Sequence, residues 1–118
     1  MPASLTAAER ASLDAAIRAA EQACRAEISV FVGSAAGDPR AFATSLHNTL
    51  VLPARSILIM VDPDRRAVEI VTGGHVRERL TDAEALQAIV TMTAAFGNGD
   101  LAGGLTTAIE QLGEAARD

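Results

Sequence analysis

Apolar and polar residues follow each other along this chain in patterns that predict helices and strands in a regular order. Leu13, Ile17, Ala20 and Cys24 recur every three or four residues, which is the spacing of the buried face of a helix. The stretch EISVFV, residues 27–32, alternates and then becomes continuously apolar, which is typical of a buried strand. The chain is therefore predicted to begin with a helix followed by a strand of a covered sheet.

The same patterns divide the whole chain into helices and strands. They predict a helix over about 7–25, a strand over 27–32, a helix over about 39–51, strands over 56–61 and 67–72, a connecting turn over 75–79, a helix over about 82–96 and a last helix after Asp100. Two of the helix starts carry capping boxes, Thr6-Ala-Ala-Glu9 and Thr81-Asp-Ala-Glu84. These start signals fix the element boundaries better than periodicity alone.

The two C-terminal helices have apolar residues on a broad face. In the first of them, we expect the inward stripe to contain Leu86, Ile89, Val90 and Phe96. The last helix holds Gly103 and Gly104, and each glycine costs about 1 kcal/mol relative to alanine inside a helix. A close backbone contact at these glycines is the expected compensation.

The connections between the strands predict the topology. A strand, a helix and a second strand indicate a right-handed parallel crossover, whereas residues 63–66 are too few for anything but an antiparallel hairpin. The order α-β-α-β-β-α-α then fits an α/β fold, a three-layer α/β/α sandwich with a small mixed sheet of about three strands. The length of 118 residues predicts a single domain over residues 1–118.

Composition and charge exclude some classes of function. The net charge is −5, and residues 80–118 carry one arginine against six acids. Trp and Tyr are absent, so bases have few stacking partners, and an acidic chain without a basic face is a poor binder of nucleic acid. MPASLTAAER lacks the features of a signal peptide, and the longest apolar run is too short to span a bilayer. We therefore expect a soluble cytoplasmic protein without direct membrane insertion.

Two candidate sites lie at opposite ends of the stretch VDPDRRAVEIVTGGH, residues 61–75. At the first end, Asp62 and Pro63 occupy the positions that favour a tight turn, so Asp62–Arg66 is interpreted mainly as the turn of the hairpin, with Arg65 and Arg66 exposed and partly neutralising the acids. The alternatives at this end are a contact with an anion or a partner, or a metal bound by the two carboxylates. His47, in the second helix, is predicted to lie on a polar face and to have no role.

The second candidate site is at the other end of the same strand, and we call it the glycine–arginine edge. Its residues are Arg55, Thr72, Gly73, Gly74, His75, Arg77 and Arg79. Exposed glycine amides, arginines and the start of the helix at Asp82 would suit an anion such as phosphate or carboxylate. A solvated turn, anion or peptide binding, and metal-dependent chemistry with Asp82 as a ligand all remain open.

Three stretches of the chain together resemble the TPM domain family. They are LTAAERASLDAAIRAAEQACRAEISVFV, SILIMVDPDRRAVEIVTG and LTDAEALQAIVTMTAAFGNGDLAGGLTTAIEQL, which cover nearly the whole chain. In particular, the chain looks like a short, free-standing actinobacterial version of unknown role. The resemblance implies a domain that in some relatives binds a divalent cation and acts as an acid phosphatase.

The resemblance leads to two hypotheses of different classes. Where family members commonly carry an Asp-Asn pair, this chain reads Leu52-Pro53-Ala54-Arg55-Ser56, and only Asp82 of the family's LTD motif carries over. The first hypothesis is a non-enzymatic binding module for a protein segment or an anionic ligand. The second is a metal-assisted phosphatase that uses Ca²⁺ or Mg²⁺ held partly by Asp82. The sequence leaves open whether the protein is an enzyme.

Overall fold

The computed structural model describes residues 5–118, which form four helices around a three-stranded sheet. The helices are α1 (Ala7–Cys24), α2 (Pro39–Asn48), α3 (Asp82–Gly97) and α4 (Leu101–Ala115), and the strands are β1 (Glu27–Val32), β2 (Ser56–Asp62) and β3 (Ala67–Thr72). The predicted fold class and the order α-β-α-β-β-α-α are confirmed. The prediction about the N-terminal signal rests partly on residues 1–4, which lie outside the described residues.

The sheet has the order β1-β2-β3, with β2 in the centre. β1 pairs with β2 in parallel and β3 pairs with β2 antiparallel, as the crossover and the short hairpin predict. Val61 of β2 lies opposite Val32 on one side and Val68 on the other. These two residues therefore occupy the same level of the sheet on its two outer strands.

Alternate residues of each strand supply the two layers of the core. On one face, Ile57, Ile59 and Val61 pack under α1, α3 and α4 and belong to the larger cluster of buried residues. On the other face, Leu58 and Met60 pack against α2 in a smaller cluster. All seven residues of β2 are buried, as a central strand covered on both faces must be.

The helix ends follow local sequence signals, with one correction. Both predicted capping boxes form, with Thr6 and Thr81 accepting from the backbone of Glu9 and Glu84. α2 ends at Asn48, three residues before the predicted limit. The Thr49 hydroxyl donates to the Leu46 carbonyl oxygen at 2.7 Å, a local bond that satisfies this carbonyl where the helix stops.

The buried face of α3 differs from the predicted stripe. Its buried residues are Ala88 and Met92, whereas Leu86 and Val90 remain 58% and 53% exposed.

Small residues determine how closely α4 packs against its neighbouring helices. A Cβ on Gly113 would lie 2.7 Å from the Ala20 Cβ of α1, and one on Gly104 would lie 2.8 Å from the Ala95 Cβ. The expected close contact at the α4 glycines is thus present at Gly104.

Candidate functional site

The glycine–arginine edge lies where β1 and β2 start and β3 ends. Glu27 is level with Ser56, and the Gly73 amide donates to the Ser56 carbonyl oxygen at 2.9 Å. The His75 amide donates to the Ala54 carbonyl oxygen, also at 2.9 Å. The sequence-based expectation that these loops converge at one edge agrees with this geometry.

The glycines at this edge serve packing as well as turning. Gly73 is buried, and a Cβ on it would collide with the carbonyl groups of Pro53 and Ala54. Its amide is already bonded, so the prediction that both glycine amides are exposed is wrong for Gly73. Gly74 is exposed.

Two of the predicted arginines bind backbone carbonyls. Arg77 donates to the Thr72 carbonyl oxygen. Arg79 donates through Nε to Ala116 O at 3.1 Å and through Nη2 to Cys24 O at 2.5 Å. These last two carbonyls belong to the C-terminal ends of α4 and α1, so Arg79 caps two helices at once. Guanidinium groups engaged in this way have fewer donors left for a ligand.

The remaining predicted residues are spread over the surface of the edge. Arg55 and Asp82 are exposed, and His75 Nδ1 lies 3.7 Å from an oxygen of Glu78. Within residues 5–118, no group of three or more His, Cys, Asp or Glu side chains is placed to share a metal ion. Asp82 therefore stands without the further ligands that a calcium or magnesium site needs.

At the opposite end of the sheet, Asp62 and Arg65 fasten the loop that follows β1. Asp62 is buried, and its Oδ2 accepts from the Ala35 amide at 2.9 Å. Arg65 Nη1 donates to Ala35 O at 2.9 Å and Gly37 O at 2.6 Å. The hairpin turn is where it was predicted, and Arg65 is exposed as predicted while its guanidinium also binds the carbonyls of this loop.

The carboxyl group of Asp62 has a shifted pKa. The Ala35 amide is the main cause that lowers the pKa of Asp62 below its ordinary value, and the Arg65 amide and charge act in the same direction. Burial opposes this shift but does not cancel it. The hydrogen bond from the Ala35 amide therefore stabilises the ionised form of the Asp62 side chain.

His47 differs from its predicted position on a polar face. It is only 5% exposed, because it follows the buried Ala43 by one helical turn on the side of α2 that covers the sheet. Its Nε2 lies 3.0 Å from the Ser56 carbonyl oxygen. The sequence signal that was missed is the spacing of four residues from Ala43.

The outer edge of β3 is guarded by arginine side chains. Backbone groups of successive strand residues point alternately toward and away from the neighbouring strand. Because the Gly73 amide points toward β2, the outward carbonyls of β3 are those of Val68, Ile70 and Thr72. Arg40 Nη1 donates to Ile70 O at 2.7 Å, and Arg77 donates to Thr72 O. An arginine side chain on an outward carbonyl obstructs the pairing of an added strand there.

The outer edge of β1 is less protected. The Gly33 amide donates to Val61 O, so the outward groups belong to Ile28, Val30 and Val32. The Ile28 amide donates to Glu21 Oε2 at 3.0 Å. Within residues 5–118, no hydrogen bond guards the outward groups of Val30 and Val32. We call these groups the open edge of β1.

A groove runs beside the open edge, and we call it the β1 groove. Its volume is about 530 Å³. Its lining residues come from the chain before and within α1 and from β1, and they are Leu5, Arg10, Leu13, Asp14, Ile17, Val30, Phe31 and Val32. The groove is therefore mainly aliphatic, with one cation and one anion from α1. Sequence reasoning missed it, because its two sides come from different elements.

Fold and surfaces together define a small three-layer α/β domain in which arginines cap two outward carbonyls of β3, while Val30 and Val32 of β1 have no such cap within residues 5–118. The chain belongs to the family described as a domain of unknown function, DUF5130, which matches residues 2–113. The uncharacterised proteins MT2543 and Rv2468c, from two strains of Mycobacterium tuberculosis, are each 30% identical over 105 residues. The matched region covers 89% of this chain but only 63% of the length of each relative.

Solved structures of small bacterial domains share this fold. The NMR structure of the BA42 protein of Bizionia argentinensis has a TM-score of 0.82 at 24% identity, covering 95% of this chain and 81% of that one. The N-terminal domain of the cg2496 protein of Corynebacterium glutamicum has a TM-score of 0.75 at 23% identity, covering 95% and 74%. A P. gingivalis domain reaches 0.81 at 18% identity, covering 94% and 75%. At these identities the likeness concerns the fold alone.

The comparisons support a family of small domains of unknown function, and the narrower resemblance to TPM domains stays a prediction. None of the helices formed by residues 5–118 combines the length and apolarity needed to cross a bilayer.

Proposed function

We propose that this domain is a non-enzymatic interaction module that binds a protein segment as an added strand along β1. The observation that carries the proposal is the open edge of β1 beside the β1 groove. Within residues 5–118, no side chain binds the outward backbone groups of Val30 and Val32, and the half-buried Ile17 offers an apolar side chain next to them. Strand addition uses such a pairing of main-chain bonds with side-chain pockets.

The contrast between the two edges supports this choice of surface. Sheet edges are normally blunted, and in this domain Arg40 and Arg77 blunt β3. Each added backbone hydrogen bond contributes about 0.5–1.5 kcal/mol net. Apolar side chains entering the groove contribute about 25 cal/mol per Å² of buried surface. Both contributions together suit a short extended segment.

The glycine–arginine edge and the phosphatase hypothesis receive less support. Arg77 and Arg79 already hold carbonyls, which leaves Arg55 as the arginine of the predicted site whose side chain makes no hydrogen bond within residues 5–118. Asp82 lacks companion ligands among the residues that the structure describes. We therefore place anion binding and metal-assisted chemistry behind strand addition.

A displayed library of random peptides tests the proposal while the partner is still unidentified. We expect the wild-type domain to enrich peptides with apolar residues at alternate positions, because one face of the added strand would enter the β1 groove. Val32→Pro removes an outward amide and should abolish this enrichment, since proline at such a position leaves the inner ladder intact.

Val68→Pro is the matched control, because Val68 lies at the same sheet level on the other outer strand and its amide also points outward. This variant should enrich the same peptides as the wild type. Equal enrichment by Val32→Pro and the wild type, with both variants folded, would show that the open edge of β1 is not the binding surface.

A further inference from the structure

We infer that a second copy of this chain can occupy the open edge of β1, so that the two β1 strands pair antiparallel and join the sheets. This inference rests on the proposed function and names the partner of the same surface. Three features of the domain support it. They are the positions of the outward backbone groups of β1, the charges of the β1 groove, and the hydrogen bond from the Ile28 amide to the Glu21 carboxylate.

The outward groups of β1 are complementary to themselves. In an antiparallel pair centred on Phe31, Val30 faces Val32 of the second copy and Val32 faces Val30 of the second copy. All of these residues direct both the amide and the carbonyl outward, so the pairing forms about four backbone hydrogen bonds. Phe31 then faces its own counterpart, and aromatic pairs opposite each other stabilise antiparallel strands.

The charges beside β1 fit the same two-fold arrangement. Arg10 and Asp14 lie one helical turn apart on α1 and line the same groove as Val30 and Val32. A two-fold axis at Phe31 brings the two grooves face to face with their charges in opposite order. Any contact between Arg10 of one copy and Asp14 of the other then occurs twice, because a two-fold interface repeats each pair.

The acidic excess of the chain does not oppose this pairing strongly. The six acids of residues 80–118 belong to α3, α4 and their ends, whereas the groove is lined by residues of α1 and β1 and by Leu5. Among the described residues that line the groove, one arginine balances one aspartate. Like-charge repulsion from α3 and α4 acts at longer range and is screened by salt.

The hydrogen bond from the Ile28 amide to the Glu21 carboxylate explains why a second copy fits the open edge of β1 better than a long foreign strand does. The Glu21 carboxylate occupies the Ile28 amide, so the accessible part of the edge is short and centred on Phe31. A foreign strand gains this short ladder and the burial of its own side chains in the β1 groove. A second copy adds the Phe31 pair and the Arg10–Asp14 contacts from both sides.

Sedimentation equilibrium tests the inference on the intact chain, loaded from about 5 µM to about 500 µM to bracket a weak association. We expect the mass of the wild type to rise from 12.2 kDa toward twice that value with concentration. Val32→Pro should stay monomeric over the whole range, and Val68→Pro should behave as the wild type. A wild type that stays monomeric, or a Val32→Pro variant that dimerises equally, would overturn the inference.

Amide hydrogen exchange of the wild type gives a second measurement that does not depend on a proline variant. The Val30 and Val32 amides should exchange about tenfold more slowly at the highest concentration than at the lowest, with Val68 unchanged as the internal control. Unchanged Val30 and Val32 exchange would also count against the pairing.

The two proposals fail in distinguishable ways. A monomeric wild type that still enriches strand peptides removes the second copy as partner and leaves strand addition standing. A monomeric wild type that enriches no peptide removes both.

Discussion

Asp62 and Arg65 act together on the loop that follows β1. The Asp62 carboxylate accepts from the Ala35 amide, and the Arg65 guanidinium donates to the Ala35 and Gly37 carbonyls. Asp62 is the last residue of β2 and Arg65 lies in the turn that follows it, so together they join this turn to the loop after β1 at the carboxyl end of the parallel strands. Buried polar groups with all their partners in place stabilise a unique loop conformation.

Replacing Asp62 should change how stability depends on pH. The folded pKa of Asp62 lies below its ordinary value of 3.8, so its stabilising contribution is complete above that value and is lost as the pH falls through the lower folded pKa. We expect Asp62→Asn to have a lower melting temperature at neutral pH and a smaller fall in melting temperature on acidification. Thermal unfolding between about pH 2 and about pH 7 measures both effects.

Asp64→Asn, in the same turn but exposed, is the control and should keep the acid dependence of the wild type. If Asp62→Asn and the wild type lost stability in parallel below pH 3.8, the Ala35 bond would not be the source of the effect.

At the scale of elements, glycine and alanine determine how closely α1 and α4 approach. Gly113 of α4 faces Ala20 of α1, and the missing side chain allows the two backbones to come together. The sequence pattern predicted a close contact at Gly103 and Gly104 but not at Gly113, since the Gly113–Ala20 contact joins residues far apart in the chain.

Gly113→Ala should destabilise the domain by about 1–3 kcal/mol, because the new methyl group would overlap Ala20 and push the helices apart. Gly97→Ala is the matched control at the exposed end of α3, where a Cβ meets nothing within 4 Å. It should be neutral or slightly stabilising, since alanine favours the helix. Urea unfolding of both variants measures the difference, and equal free energies of unfolding would refute the close-packing argument.

The sequence predicted elements well where local signals were strong. β1 and β3 were bounded correctly, and both capping boxes form because their bonds join residues three apart. Leu86 and Val90 were misassigned because α3 is apolar around most of its circumference, so periodicity alone does not select the inward face. The backbone bonds of Arg79 depend on tertiary contacts, which local patterns do not encode, whereas the burial of His47 had a local signal in its spacing of four residues from Ala43.

At the scale of the whole molecule, the two edges of the sheet differ in which outward backbone groups are hydrogen-bonded to side chains. Arg40 and Arg77 cap outward carbonyls of β3, while Val30 and Val32 of β1 are left uncapped within the described residues. A sheet with one open edge can add a single strand or a single copy. A sheet with two open edges can extend without limit.

Removing the side chains of Arg40 and Arg77 from the outer edge of β3 should therefore promote open-ended association of the sheets. We expect the Arg40→Ala/Arg77→Ala variant to aggregate several-fold faster than the wild type on mild heating, as measured by light scattering. Arg18→Ala/Arg55→Ala removes the same charge from exposed residues whose side chains make no hydrogen bonds within residues 5–118, and it should aggregate at the wild-type rate. Equal acceleration in both double variants would attribute the effect to net charge.

The two ends of the described chain emerge at different places, and this decides where a tag belongs. The Asp118 amide donates to the Ala23 carbonyl oxygen at 3.0 Å, beside the start of β1. Leu5, in contrast, lines the same groove as Val30 and Val32. A purification tag or surface linker joined at Leu5 would lie beside the groove and compete with any incoming strand. Immobilisation through the carboxyl terminus keeps β1 accessible.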